Sequence, residues 1–329
     1  MNVQPWVWML TIGVTTVALL VDVVIIGHRP HVPSMAEAGR YLAMYVGLAL
    51  LFGLGVWHFS GADYAAQYYA GWLTEYSLSV DNLFVFLIVM AKFGVPEKLQ
   101  QTALMVGIVI ALVLRGIFIA VGAAAINEFS WIFYLFGAFL IFTAVKLARE
   151  GASEDDEFTA NRVLKWVEVR FPATDQWQGT KAFIRSNGSR LITPMFIVIL
   201  ALGTTDLLFA LDSIPAIFGL TQEPFLVLTA NIFALMGLRQ LYFLIGGLLK
   251  RLVYLGIGLA ILLSFIGVKL ILHAAHVNAL PFINGGRPVP GASDISIGQS
   301  LAVIVAILAS TTIASLFRSR KDNAATTGV

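Results

Sequence analysis

The chain has 329 residues, of which 58% are hydrophobic and only 12% charged, with a formal net charge of +2. A mean hydropathy of +0.84 excludes an ordinary soluble domain. The absence of cysteine excludes disulfides, thiolate metal sites and thiol redox pairs.

Runs of about twenty apolar residues recur along the chain, the length needed to cross about 30 Å of hydrocarbon. They are continuous, not alternating, which excludes a β-barrel and predicts an all-α integral membrane protein. About nine spans are expected: 6–27, 39–58, 66–91, 101–125, 131–149, 191–219, 225–248, 251–273 and 298–318. The first run, Trp6 to Ile26, has no basic residue before it and no small-residue cleavage site after it, so it is read as a retained helix.

Orientation follows from the basic residues. Arg29 and Arg40 follow span one, Lys92 and Lys98 follow span three, and Arg149 to Arg190 follow span five. Lys250-Arg251 follow span seven and Arg318, Arg320 and Lys321 follow span nine. The intervening connections lack Lys and Arg, except for Arg287 before span nine. The expected orientation in the cell membrane therefore has the N-terminus outside and the C-terminus in the cytoplasm.

Five segments follow. Residues 1–60 carry two N-terminal helices, and 61–149 form a first three-helix unit. Residues 150–190 form a cytoplasmic linker, and 191–273 form a second three-helix unit. Residues 274–329 hold an outer loop, the last helix and a basic tail. Within the linker, Glu154 to Glu157 read as a solvated acidic run and Val163 to Val169 as a short interfacial helix. Ser186-Asn187-Gly188-Ser189 is a two-residue hairpin signal.

The two units are related. Glu75 maps to Asp206 and Asp81 to Asp212 at one offset, 131 positions. Arg115 and Arg239 match at offset 124, and Phe142-Thr143-Ala144-Val145-Lys146-Leu147 matches Phe265 to Leu270 at offset 123. Three helices per unit, with no span between, force the second copy into the membrane from the opposite side. The expected fold is thus a three-plus-three inverted-topology repeat, an architecture of secondary transporters with a midplane site.

Four acids lie at depth, Glu75, Asp81, Asp206 and Asp212, with two arginines, Arg115 and Arg239. Each would cost about 2.5–3.5 kcal/mol at the centre of a lone helix, so each is expected to face an interior and pair there. One reading has each arginine clamping acids of its own half. Four carboxylates against two guanidiniums leave two negatives, which a divalent cation or two protons would neutralise. Six residues turn through about 600° of helix, so Glu75 and Asp81 share no face unless the helix opens between them. Pro215 favours such an opening in the second copy by removing a backbone donor. Asn82 and Ser213 add neutral oxygens beside the aspartates. An all-oxygen donor set suits Mg²⁺, Ca²⁺ or Mn²⁺. His273 and His276 are read as interfacial packing before a metal contact, and Asp22 as a partner of Arg29 or a loop.

The segments Glu75-Tyr76-Ser77-Leu78-Ser79-Val80-Asp81-Asn82 and Ala210-Leu211-Asp212-Ser213-Ile214-Pro215 resemble the TerC family, as do Pro224 to Ala234 and Gly237 to Phe243. The family is associated by name with tellurium resistance and, more directly, with Mn²⁺ export by a three-plus-three inverted repeat. The resemblance implies Mn²⁺ efflux here, with Glu75, Asp81, Asp206 and Asp212 carried over as metal residues. One departure is Gly203, where family members often carry an acid three residues before the aspartate.

Two functions compete on this reading. One is a divalent-cation exporter working by alternating access, with H⁺ or Na⁺ as the exchanged ion. The other is a membrane scaffold or accessory factor for envelope protein maturation or metal-stress tolerance, with structural acids. An intramembrane aspartyl protease would need Gly-x-Gly-Asp, and Gly203-Thr204-Thr205-Asp206 does not supply it. No enzyme activity, resident cofactor or nucleic-acid partner is expected; the metal is cargo.

Overall fold

The computed structural model describes residues 1, 3–28, 33–129, 131–150, 172, 174, 176–186, 189–245, 254–278, 280–292 and 295–326. Nine helices account for nearly all of it: α1 Pro5–His28, α2 Met35–Ser60, α3 Ala62–Lys92, α4 Glu97–Glu128, α5 Ile132–Glu150, α6 Pro194–Phe218, α7 Pro224–Ile245, α8 Leu255–His276 and α9 Ile297–Thr326. Eight of them, α2 to α9, are long and apolar enough to cross a membrane. The all-α membrane fold expected from composition is thereby borne out. The acidic run at 154–157, the helix at 163–169 and the side chain of Asp22 lie outside the described residues.

Local chemistry sets the helix ends. Ser34 caps α2, its hydroxyl accepting from the Glu37 amide at 3.2 Å. Thr193 caps α6 by accepting from the Phe196 amide at 3.4 Å, with Pro194 at the first helical position, where its missing N–H costs nothing. Helices α2 and α3 meet at Gly61, whose φ of +100° only glycine adopts without strain. The hairpin signal is also realised: β1 Phe183–Ser186 pairs antiparallel with β2 Ser189–Ile192, Ser186 opposite Ser189. Thr193 joins this hairpin to α6, since its hydroxyl also donates to the Lys181 carbonyl at 2.6 Å.

Burial orders the bundle. The span of α7 is 89% buried, against 22% for α2 and α5 and 17% for α9, so α7 is the central post and α2, α5 and α9 lie at the periphery. Around α7, helix α3 packs on α6, α7 and α2, helix α4 on α6 and α7, and α5 on α8. The α5–α8 crossing is backbone to backbone: a Cβ on Gly137 would lie 2.7 Å from the Gly267 carbonyl oxygen, and one on Gly267 2.9 Å from that of Gly137. One apolar core fills the space between α5, α8 and the C-terminal half of α6. A second lies between α3, α4, the N-terminal half of α6 and the C-terminal half of α7. The polar residues of the middle turns sit between these two cores.

Both acid-bearing helices are continuous. Helix α3 runs unbroken through Glu75 and Asp81, and α6 through Asp206, Asp212 and Pro215. Of the two alternatives, separate faces or an opened turn, these helices have the first. Pro215 removes the donor to the Leu211 carbonyl, in the turn that carries Asp212, yet α6 stays helical through to Phe218.

Candidate functional site

The middle of the bundle is organised by one side chain. Arg115, on α4, is fully buried. Its Nε donates to Asp206 Oδ2 at 2.9 Å and its Nη2 to Asp206 Oδ1 at 3.2 Å, the bidentate fork that suits a carboxylate. Its Nη1 donates to Glu75 Oε1, to Asn231 Oδ1 at 2.9 Å and to Ser213 Oγ at 3.2 Å. Four helices thus meet on one guanidinium: α3 through Glu75, α4 through Arg115, α6 through Asp206 and Ser213, and α7 through Asn231.

The partners are built to stay. Glu75 and Asp206 are 0% and 1% exposed, and Asn231 is completely buried. The Asn231 amide nitrogen donates to the Val227 carbonyl of its own helix at 3.2 Å, which turns the amide oxygen towards Arg115. The cluster holds two carboxylates and one guanidinium, a net charge of −1 when all are ionised. Glu75 Oε2 is buried and has no hydrogen-bond partner among the described residues. A buried carboxylate oxygen without a donor costs free energy unless a proton or a cation meets it.

Several sequence expectations change. Arg115 clamps Glu75 of its own half, as one reading had it, but also Asp206 of the second unit, so it ties the two units together. Asp212 is turned to another face of α6, half-buried, with Thr143 of α5 donating to its Oδ1 at 3.4 Å. Asn82 is buried on α3. The side chain of Asp81 lies outside the described residues. Arg239 is 3% exposed, and its Nε donates to Gln240 Oε1 at 3.4 Å. Among the described residues, no three of His, Asp and Glu converge to hold a metal. Gly203 faces α4, where a Cβ would lie 3.2 Å from Ile110 Cγ2. An acid there would start against Ile110.

The histidines at the end of α8 act separately. His273 Nε2 lies 2.9 Å from Gln222 Nε2 and its ring stands edge-on to Phe133, while His276 Nδ1 lies 3.1 Å from the Ala292 carbonyl oxygen. A cavity of about 690 Å³ opens beside His273, lined by Asp63, Gln67, Gln222, Glu223, Lys269 and Ser296 among others. It collects the start of α3, the α6–α7 connection, the end of α8 and the start of α9 on one side of the helix layer. Those are the connections that the charge pattern groups together.

Asn231, Thr143 and Lys269 were not singled out as site residues from sequence. Lys269 is 7% exposed, and its ammonium donates to Ser300 Oγ at 2.9 Å. A lysine or asparagine inside an apolar run was the available signal.

Fold and site together define a polytopic helical membrane protein whose core is pinned by a buried cluster of two acids and one arginine. The profile of the integral membrane protein TerC family matches residues 60–323, and the chain belongs to that family. It is 50% identical to an uncharacterized membrane protein of Mycobacterium tuberculosis over 98% of this chain and 83% of the relative. It is 37% identical to an uncharacterized membrane protein of Myxococcus xanthus, over 96% and 94% of the two chains. It is 39% identical to Alx of Escherichia coli, whose name proposes a membrane-bound redox modulator, over 82% and 86%. No solved structure matches the chain.

Proposed function

We propose that the chain is a secondary transporter of the cell membrane that exports divalent metal cations, Mn²⁺ foremost, by alternating access. The observation that carries this reading is the buried Glu75–Arg115–Asp206 cluster, which joins both units and sets two carboxyl groups against one guanidinium. A carboxylate pair at such depth is costly as scaffolding and useful as a cation site. Oxygen donors from Glu75, Asp206, Ser213 and Asn231 match a hard cation. Asp81, Asn82 and Asp212 supply further oxygens along the same two helices.

The packing supports the inverted repeat on which alternating access rests. Exchanging α3, α4 and α5 with α6, α7 and α8 turns the α3–α7 contact into the α6–α4 contact. The same exchange leaves the α3–α6, α4–α7 and α5–α8 pairs in place. The redox description of Alx does not extend to this chain by thiol chemistry, because it has no cysteine.

The competing scaffold reading draws on the same cluster, since Arg115 is hydrogen-bonded through all three of its guanidinium nitrogens and holds four helices together. Metal efflux from vesicles separates the two. Asp81→Asn and Asp212→Asn proteins that fold yet no longer move Mn²⁺ support transport. Full efflux by both variants overturns the assignment of these acids to the site, and no efflux by the wild type overturns transport. Repeating the assay with a pH or Na⁺ gradient set or collapsed identifies the exchanged ion.

A further inference from the structure

We infer that the Arg115 guanidinium is a tethered counter-cation that occupies the acid site when no metal is bound and must be displaced for a divalent cation to enter. The inference rests on the transport reading above and adds to it what the empty carrier does with its charge.

The argument starts from charge and geometry. Arg115 uses its fork on Asp206 at 2.9 and 3.2 Å and turns Nη1 to Glu75, so it covers both oxygens of Asp206 and one of Glu75. Two carboxylates and one guanidinium sum to −1. A divalent cation added beside the guanidinium would turn that into +1 in a dry site, where like charges repel strongly. With the guanidinium withdrawn, the same ion and the two carboxylates sum to zero. The metal and the guanidinium are therefore alternatives.

The anchoring differs between the two acids. Glu75 keeps one buried oxygen, Oε2, without a hydrogen bond among the described residues, while Oε1 is taken by Arg115. An entering cation has that oxygen available before any bond is broken. Ser213 and Asn231 accept from the same Nη1 that Glu75 accepts from, at 3.2 and 2.9 Å. They are neutral acceptors that can retain the guanidinium as it leaves the carboxylate. Because Arg115 touches both units, the empty site is neutralised to within one charge while the two halves are held together. Metal entry loosens that tie.

The test is Mn²⁺ binding to the purified full-length chain in detergent, read as loss of the free aqueous Mn²⁺ signal in electron paramagnetic resonance. Arg115→Gln removes the competitor, and its Kd for Mn²⁺ is expected to fall at least tenfold, whereas Glu75→Gln raises it. Unchanged or weaker binding by Arg115→Gln, with wild type binding and Glu75→Gln impaired, overturns the competition while leaving the transport reading intact. No Mn²⁺ binding by wild type and Arg115→Gln alike overturns both. A second measurement covers the case in which Arg115→Gln does not fold. Infrared difference spectra of the wild type in lipid, with ¹⁵N-labelled arginine, should show a guanidinium band shifted by Mn²⁺ and absent in Arg115→Lys. Mn²⁺ that binds without moving any arginine band overturns the inference.

Discussion

Replacing Arg115 with methionine isolates the contribution of the buried cluster. The substitution keeps an unbranched side chain of comparable length but removes the donors to Asp206, Glu75, Asn231 and Ser213. It leaves two carboxylates, 0% and 1% exposed, facing each other with no compensating charge. Breaking a buried pair by deleting one partner costs about 3–5 kcal/mol. At about 1.4 kcal/mol per decade, that moves the folding equilibrium by about two to nearly four decades. Neutralising the whole cluster, with Arg115→Met, Glu75→Gln and Asp206→Asn together, removes the stranded charges and should recover most of the loss. Mn²⁺ at about one hundred times its Kd should return about 2.7 kcal/mol to the single variant, because it binds the folded state. Denaturant unfolding of the solubilised chain, followed by tryptophan fluorescence, measures all three. A single variant within about 1 kcal/mol of wild type would refute the claim that this cluster is dry and tightly paired.

Further outcomes follow from other contacts. Gly137→Ala places a Cβ 2.7 Å from the Gly267 carbonyl and from Ile271 Cγ1, and backbone cannot move aside cheaply. It should cost about 1–3 kcal/mol in the same unfolding assay. Ser300→Ala removes the hydroxyl that accepts from the buried Lys269 ammonium at 2.9 Å. A loss of about 1.5–3 kcal/mol is expected, measured by the same denaturation. The chain has no cysteine, so single introduced thiols report sidedness without background. Phe282, which is 81% exposed, should label from outside as Phe282→Cys, and the exposed Lys181 only from the cytoplasmic side as Lys181→Cys. Labelling of both from one side would contradict the proposed orientation.

Much of the fold was legible because hydrocarbon imposes length and continuity on each span. The helices fall where the apolar runs predicted them, and the Ser186–Ser189 signal became a hairpin because a two-residue turn fixes its register. The site was only half legible. Glu75 and Asp206 stood out as charges in apolar runs, yet their convergence on Arg115 depends on α3, α4 and α6 meeting. No spacing along one helix encodes that. The rotation of about 240° between Glu75 and Asp81 offered two solutions, separate faces or an opened turn. Continuous helices select the first, and Asp212 accordingly meets Thr143 on α5 instead of Arg115. Pro215 pointed towards an opening, but the loss of one bond, to the Leu211 carbonyl, leaves α6 helical to Phe218. Asn231 carries no charge, so nothing in a hydropathy pattern separates a site asparagine from a packed one.

The central claim, that Glu75 and Asp206 form the path of a divalent cation, is tested most directly by Mn²⁺ flux into proteoliposomes holding the full chain. Wild type should move Mn²⁺ faster than protein-free liposomes, and folded Glu75→Gln and Asp206→Asn should each lose at least tenfold in rate. Wild-type flux no greater than that of empty liposomes, or undiminished flux in both variants, would contradict it.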